Sequence, residues 1–452
     1  MTNTFAPLTS EFAQAIISSN PGEDRAATDA ARTAIIDFLA CAIAGARDRT
    51  TGILADAVGG NLPGGAILIG SARRADPLVA ATINGHAGHV LDYDDVHASV
   101  RGHPTTVIIP ALLAFAAERA FSADALVASY IVGLEAMARL GLSLGSKHYE
   151  NGFHATATLG TVGAAAAIAH LTRAPIDETA IALGLAATQS SGLRLQFGAD
   201  AKPFHAGMAA RSGLLSARLA TAGFGGARDF LDSPVGFYSA YAFGAERLSA
   251  LTENWGSPWQ IVVPGLTLKA YPCCTASHPV ASLGIALNRE GLLAEAIERI
   301  TFTYPTGADA ALVVSKPTNG IEARFSPEYV FAAALIDGAL RLDHFDEQPV
   351  APRLMELARR ADRRHDESAP RMSSDPRTRF VIVDIALRDG SRIQRRFDGL
   401  PGLADPIEKF RDATARHPAF ADIPSLVRTM SSTADLRQLL ALLNQDIAPH
   451  LA

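Results

Sequence analysis

Residues 84–110, NGHAGHVLDYDDVHASVRGHPTTVIIP, constrain this chain more than any other stretch. They gather four histidines (His86, His89, His97, His103) and three aspartates (Asp92, Asp94, Asp95) among small and apolar residues. Apolar runs at 78–83 and 107–115 flank them, so the polar groups sit in a buried frame. A polar group buried without a partner costs roughly 2–7 kcal/mol. A fold that accepts this cluster must pair its members. Paired, buried imidazoles and carboxylates can give or take a proton near neutral pH.

Spacing tests the rival readings. A calcium loop opening at Asp92 needs glycine in the sixth place and glutamate in the twelfth, and those places hold His97 and His103. His86 and His89 lack a His-Glu-x-x-His pattern and a cysteine partner, so no metal is expected. The bland alternative is helix capping and loop hydrogen bonding.

The frame extends over the chain. With 452 residues, 48% hydrophobic and 19% charged, two domains with a large core are expected. A formal charge of −6 gives no basic footprint for nucleic acid. Abundant alanine and glycine favour close-packed helices, and low charge with much small apolar surface points to a homodimer. Cys41, Cys273 and Cys274 form no disulfide framework, which fits a reducing cytoplasm. The start, MTNTFAPLTSEF, lacks the charge and apolar run of a signal peptide. The most apolar windows are broken before about 18 residues, so no membrane span is expected.

Helical periodicity covers 28–47, 76–91, 104–117, 122–144, 156–171, 176–190 and 203–221. The character changes near Pro264. Residues 300–304 alternate as a strand, and 379–386 with 392–397 form a hairpin turning at Asp389-Gly390. Helices are expected at 326–342 and 352–364, a solvated charged segment at 359–375, and helix again in 406–443. The fold class is therefore mainly α: an all-helical domain from 1–267 and 401–452, and a smaller α+β domain at 268–400.

Three further places carry chemistry. His148, Tyr149 and His154 precede a helix of small residues whose N-terminus offers free N–H groups to a carboxylate. Lys202 stands ahead of a Pro-opened helix, where it can grip an acid group or serve as a base. Lys269, Tyr271 and His278 lie at the expected domain boundary, where ligand clefts tend to form. The Gly141–Gly145 match around Ser143 ends a helical run, so it is no nucleophile elbow. Cys273 and Cys274 read as packing.

The segments NGHAGHVLDYDDVH…GHPTTVIIPALLA, GFHATATLGTVGAAAA, KPFHAGMAARSG, YPCCTASHP and EARFSPEYVFAAALIDG resemble the MmgE/PrpD family in its motif order. That family includes 2-methylcitrate dehydratase, cis-aconitate decarboxylase and iminodisuccinate epimerase. The resemblance implies an all-helical domain with an α+β lid, usually a homodimer, and no metal or organic cofactor. It also implies that Asp92, His103, His154, Lys202 and His278 line a pocket for a di- or tricarboxylate, where a proton moves at carbon beside a carboxylate. Arg101, Tyr149, Lys269 and Arg324 are the candidates to bind substrate.

Two departures bear on the reaction. Val96 stands where the decarboxylase-like pattern has threonine, and the loop to His103 is one residue longer. On this reading a 2-methylcitrate dehydratase-like lyase comes first and an iminodisuccinate-type epimerase second. Cis-aconitate-type decarboxylation is demoted, and a non-catalytic metabolite-binding helical dimer is the rival of another class.

Overall fold

The computed structural model describes residues 7–59, 64–370, 379–399, 401, 404–415 and 417–447. The chain is mainly helical, with a smaller α+β domain, and each part has its own apolar core.

In the helical part, Ala155–Thr172 is buried along nearly its whole length and packs against Ala123–Leu144 and Ala201–Thr221. Small residues make that possible. A Cβ on Gly213 would lie 2.5 Å from the Ala164 methyl, and one on Gly133 would lie 2.8 Å from the Gly163 carbonyl. A close approach joins Pro77–His89 to Ala201–Thr221, where a Cβ on Gly207 would lie 2.1 Å from the Thr82 carbonyl oxygen. Only glycine permits this spacing. It brings the end of one helix, His89, beside the start of the other, Lys202. Asp76 and Ser122 cap their helices, accepting from Leu78 N and Ala125 N.

Two helices, Ala123–Leu144 and Ala155–Thr172, reach membrane-spanning length and apolarity, contrary to the sequence expectation. In each, 83% of the apolar window is buried inside the fold. Their hydrophobicity serves the core.

The α+β domain holds a four-stranded sheet in the order Ala361–Asp366, Ile297–Pro305, Phe380–Leu387, Arg392–Asp398. The first pair is parallel and the others antiparallel. The expected hairpin turn is present, with Gly390 at φ 86°. Helices His278–Arg289 and Pro327–Asp337 pack together, the first against Phe380–Leu387, around Val280, Phe302, Phe331 and Val381.

Two expectations change here. The helix from Pro327 stops at Asp337, because Gly338 takes a left-handed conformation and caps it. The expected helix 352–364 ends at Ala358, and residues 361–366 become an edge strand instead of solvated chain. The sequence ADRRHD has no alternation of apolar residues to reveal this. Its arginines are fixed by distant partners: Arg363 pairs with buried Glu328, and Arg364 donates to Thr303 Oγ1 at 2.8 Å. Part of the charged segment, residues 371–378, lies outside the described residues.

The tail forms helices Pro406–Thr414, Ile423–Thr429 and Thr433–Leu443 against the helical core. Lys409 anchors it. Its ammonium lies 2.7 Å from Asp37 and 2.5 Å from the Tyr93 carbonyl, fully buried. Replacing Lys409 by methionine leaves Asp37 buried without its charge partner, so a loss of about 3–5 kcal/mol is expected in denaturant unfolding.

Candidate functional site

The loop after Pro77–His89 carries the site. Asp92 and Arg101 both hold positive φ, 49° and 56°, a strained conformation for residues other than glycine. Strain kept at two neighbouring polar residues points to function, because packing alone gives no reason to retain it. A Cβ on Gly102 would lie 2.8 Å from Thr156 N, so the loop's end rests on the start of helix Ala155–Thr172. His103 N donates to Thr156 Oγ1 at 3.1 Å.

Asp92 is the electrostatic centre. Lys202 Nζ lies 2.5 Å and Lys269 Nζ 3.0 Å from its Oδ1, and Lys269 also donates to the Asp92 carbonyl at 2.7 Å. Burial opposes ionisation, but Lys202, then Lys269 and His103, hold the Asp92 carboxyl far below the usual range. Asp94 is likewise kept ionised against burial by His103 and His89. Its Oδ1 accepts from His89 Nδ1 at 2.9 Å, so the other nitrogen of His89 carries the lone pair. His103 Nδ1 sits 3.2 Å from Asp94 Oδ2, though out of line for a hydrogen bond, and its Nε2 is 3.8 Å from Asp92.

His154 completes the group. Its Nδ1 meets His205 Nδ1 at 3.0 Å, and its ring stacks 6.0 Å from His89. Burial, then Lys202 and the neighbouring histidines, pull its pKa well below the usual imidazole value. It is a neutral proton acceptor at pH 7.

These groups face a cavity of about 640 Å³ between the two parts of the chain, lined by Asp92, Arg101, His103, Tyr149, His154, Lys202 and Lys269. Seven of the nine candidates from the sequence therefore share one pocket. The other two are not on its wall. His278 is buried with Nε2 3.2 Å from the Cys273 carbonyl, and only its neighbour Pro279 reaches the cavity. Arg324 is spent on the carbonyls of Val90 and Phe345, so it fastens the end of the His89 helix to the α+β domain. Among the other histidines of the region, His86 bonds Thr50, His97 meets the Gln260 carbonyl, and His148 bonds Thr158, all buried. Ser143 lies inside a helix and bonds Tyr238.

Ligand atoms of His89, Asp92, Asp94 and His103 lie within 4.8 Å of one another, a spacing that could hold a cation. The two ammonium groups on Asp92 oppose that use. Five basic side chains on the cavity wall (Arg101, Arg194, Lys202, Lys269, Arg379) face two acidic ones, Asp92 and Glu150. The cavity is built for an anion.

Residues 10–248 match the MmgE/PrpD N-terminal domain, and residues 271–418 match the MmgE/PrpD C-terminal domain. The chain belongs to the MmgE/PrpD family. Among its relatives is the cis-aconitate decarboxylase of Mus musculus, 29% identical over 80% of this chain and 77% of the mouse protein. The Aspergillus terreus cis-aconitate decarboxylase is 28% identical over 92% of this chain and 91% of its own, and the human one 27% over 80% and 78%.

In this MmgE/PrpD enzyme, sequence reasoning left out five residues that the fold brings to the site: His89, Asp94, Arg194, His205 and Arg379. His89 and Asp94 stood in the opening cluster, and their pairing across five residues was the available signal. His205 followed Lys202 by three positions, one helical turn, so its arrival beside His154 was also foreshadowed. Arg379 had no such signal. It opens a strand remote in sequence from every motif.

Proposed function

We propose that this MmgE/PrpD enzyme is a carbon–carbon lyase that decarboxylates an unsaturated tricarboxylate of the cis-aconitate class without metal or organic cofactor. The observation that carries the reading is the anion-binding cavity, in which two lysines on one ionised aspartate adjoin neutral and carboxylate-flanked imidazoles. The names of the relatives support the choice among reactions.

The chemistry needs one proton. The carboxylate on the methylene next to the double bond leaves as CO₂, and the electron pair of the broken carbon–carboxyl bond forms a new C=C. The original double bond shifts its pair to the far carbon, which takes up the proton. Lys202 and Lys269 hold carboxylates and favour the charge that spreads over the allylic system. Asp92 fixes both ammoniums in place. His103, set between Asp92 and Asp94, is the candidate proton donor, and His154 with His205 the route by which a proton is exchanged.

A second reading is favoured by Val96. It lines the cavity where the decarboxylase-like pattern has threonine. An apolar side chain there supports a neighbouring reaction of the same proton transfer: dehydration of a 2-methylcitrate-like substrate, or epimerisation of an iminodisuccinate-like one.

Incubation in D₂O with cis-aconitate, 2-methylcitrate, citrate and iminodisuccinate, followed by NMR and CO₂ release, separates them. The expected outcome is CO₂ from cis-aconitate and one deuterium at the methylene carbon of the product. Water loss from 2-methylcitrate, or deuterium with inversion and no CO₂, would overturn decarboxylation in favour of the second reading.

A further inference from the structure

Beside the lysine–aspartate group the cavity holds a second basic cluster, to which the chemistry above assigns no task. Arg194 lies 3.8 Å over the Tyr149 ring and donates to the Tyr149 carbonyl at 2.8 Å and the Ala310 carbonyl at 3.2 Å. Both acceptors are neutral, so its charge stays uncompensated. Arg101 reaches a carbonyl, that of Ser146, only at 3.5 Å. Arg379 is half-buried and lines the cavity, and among the described residues its guanidinium has no hydrogen-bond or ion-pair partner.

The two basic groups are separate. The strongest charged neighbours of Asp92 are Lys202, Lys269, His103 and His89. Those of Arg101 are Glu150, Tyr149 and Glu246, and those of Arg379 are Cys274, Tyr149 and Arg101, so neither set shares a member with that of Asp92. Cys274 lies within reach of both sets, so it marks the ground between them. Burial bears against the charge of Arg101 and Arg379, yet a guanidinium keeps its proton. Glu150 and Glu246 lie near Arg101, but among the described residues neither guanidinium has a carboxylate within ion-pair distance, and two half-buried guanidiniums in one wall call for a planar anion.

We propose that Arg101 and Arg379, steadied by Arg194 on Tyr149, form a second carboxylate subsite that selects substrates bearing a further carboxylate beyond those held by Lys202 and Lys269. This rests on the reading of the cavity as a polycarboxylate site and is independent of which bond breaks. The two arginines come from different parts of the chain, Arg101 from the strained loop and Arg379 from the start of strand Phe380–Leu387. A carboxylate shared between them therefore ties the α+β domain to the helical one.

Calorimetric titration with two unreactive acids, propane-1,2,3-tricarboxylate and glutarate, tests the subsite. Wild-type protein is expected to bind the tricarboxylate about 30-fold or more tightly than glutarate, as one desolvated, bidentate arginine pair allows. In Arg379→Gln the ratio is expected to fall to about threefold or less, through loss of tricarboxylate affinity, with glutarate unchanged. Arg101→Gln should do the same, and a thermal unfolding midpoint like that of wild type identifies folded variants. Should Arg379→Gln not fold, Arg379→Lys, which keeps the charge and loses the fork, must still lower the ratio. A ratio that stays at the wild-type value in folded variants would overturn the subsite and leave the polycarboxylate reading standing. Failure of the wild type to bind either acid would overturn both.

Discussion

Replacing Lys202 by methionine is expected to lower kcat/KM by about a thousandfold, or roughly 4 kcal/mol of transition-state stabilisation, while the protein stays folded. Both halves follow from the geometry. Lys202 contacts Asp92 inside the cavity, so the substitution removes a positive charge from a desolvated site where charge develops. Asp92 is not orphaned, because Lys269 still holds its Oδ1 at 3.0 Å and its carbonyl at 2.7 Å. Folding therefore loses far less than when a buried pair is broken outright. Steady-state kinetics with circular dichroism measure the two together. A variant with full activity would remove Lys202 from the mechanism, whatever its stability.

The second large effect is on stability against acid. Desolvation lowers the pKa values of several buried histidines, five of them far: His86, His97 and His148 to about 4, His89 and His278 to about 3. In the unfolded chain each returns to about 6.5. Between these values the unfolded state binds more protons, so stability falls as pH falls from 6.5 towards 4. At pH 5.5 each histidine costs roughly 1.4 kcal/mol relative to pH 8. The Asp95 carboxyl, raised by burial and then by Asp37, works the other way and offsets part of this. On the order of 5 kcal/mol remains, a large share of a typical folding free energy. Thermal unfolding should shift down by about 5 °C between pH 7.5 and 5.5. A midpoint that holds steady across that interval would mean the rings are not buried in the neutral form.

These two effects divide the histidines by environment, and the sequence shows only part of that division. The helical spans were legible because their apolar periodicity and caps are local: Ser122, Asp76 and Pro327 stand where the helices begin. The hairpin was legible for the same reason, through Asp389-Gly390. The edge strand Ala361–Asp366 was not, because its pairing to Ile297–Pro305 spans some sixty residues and its charges are satisfied from afar. Within the site, Asp92, His103, His154 and Lys202 carry motif signals. Arg324 carries the same kind of signal, yet it binds backbone carbonyls.

By itself the sequence determined the class of fold, the run of helices, the concentration of proton-moving groups in residues 84–110 and the family to which those motifs belong. Local rules suffice for these, since helix periodicity, capping and turn chemistry act within a few residues. The tertiary structure alone decided which of the eligible groups meet. The Gly85–Gly207 contact sets Lys202 beside His89 and Asp92, and the meeting of the two parts of the chain brings Arg379 towards Arg101. Charge and burial act through space, so the same residue type becomes a neutral base at His154, a core hydrogen bond at His97 and a ring behind the wall at His278.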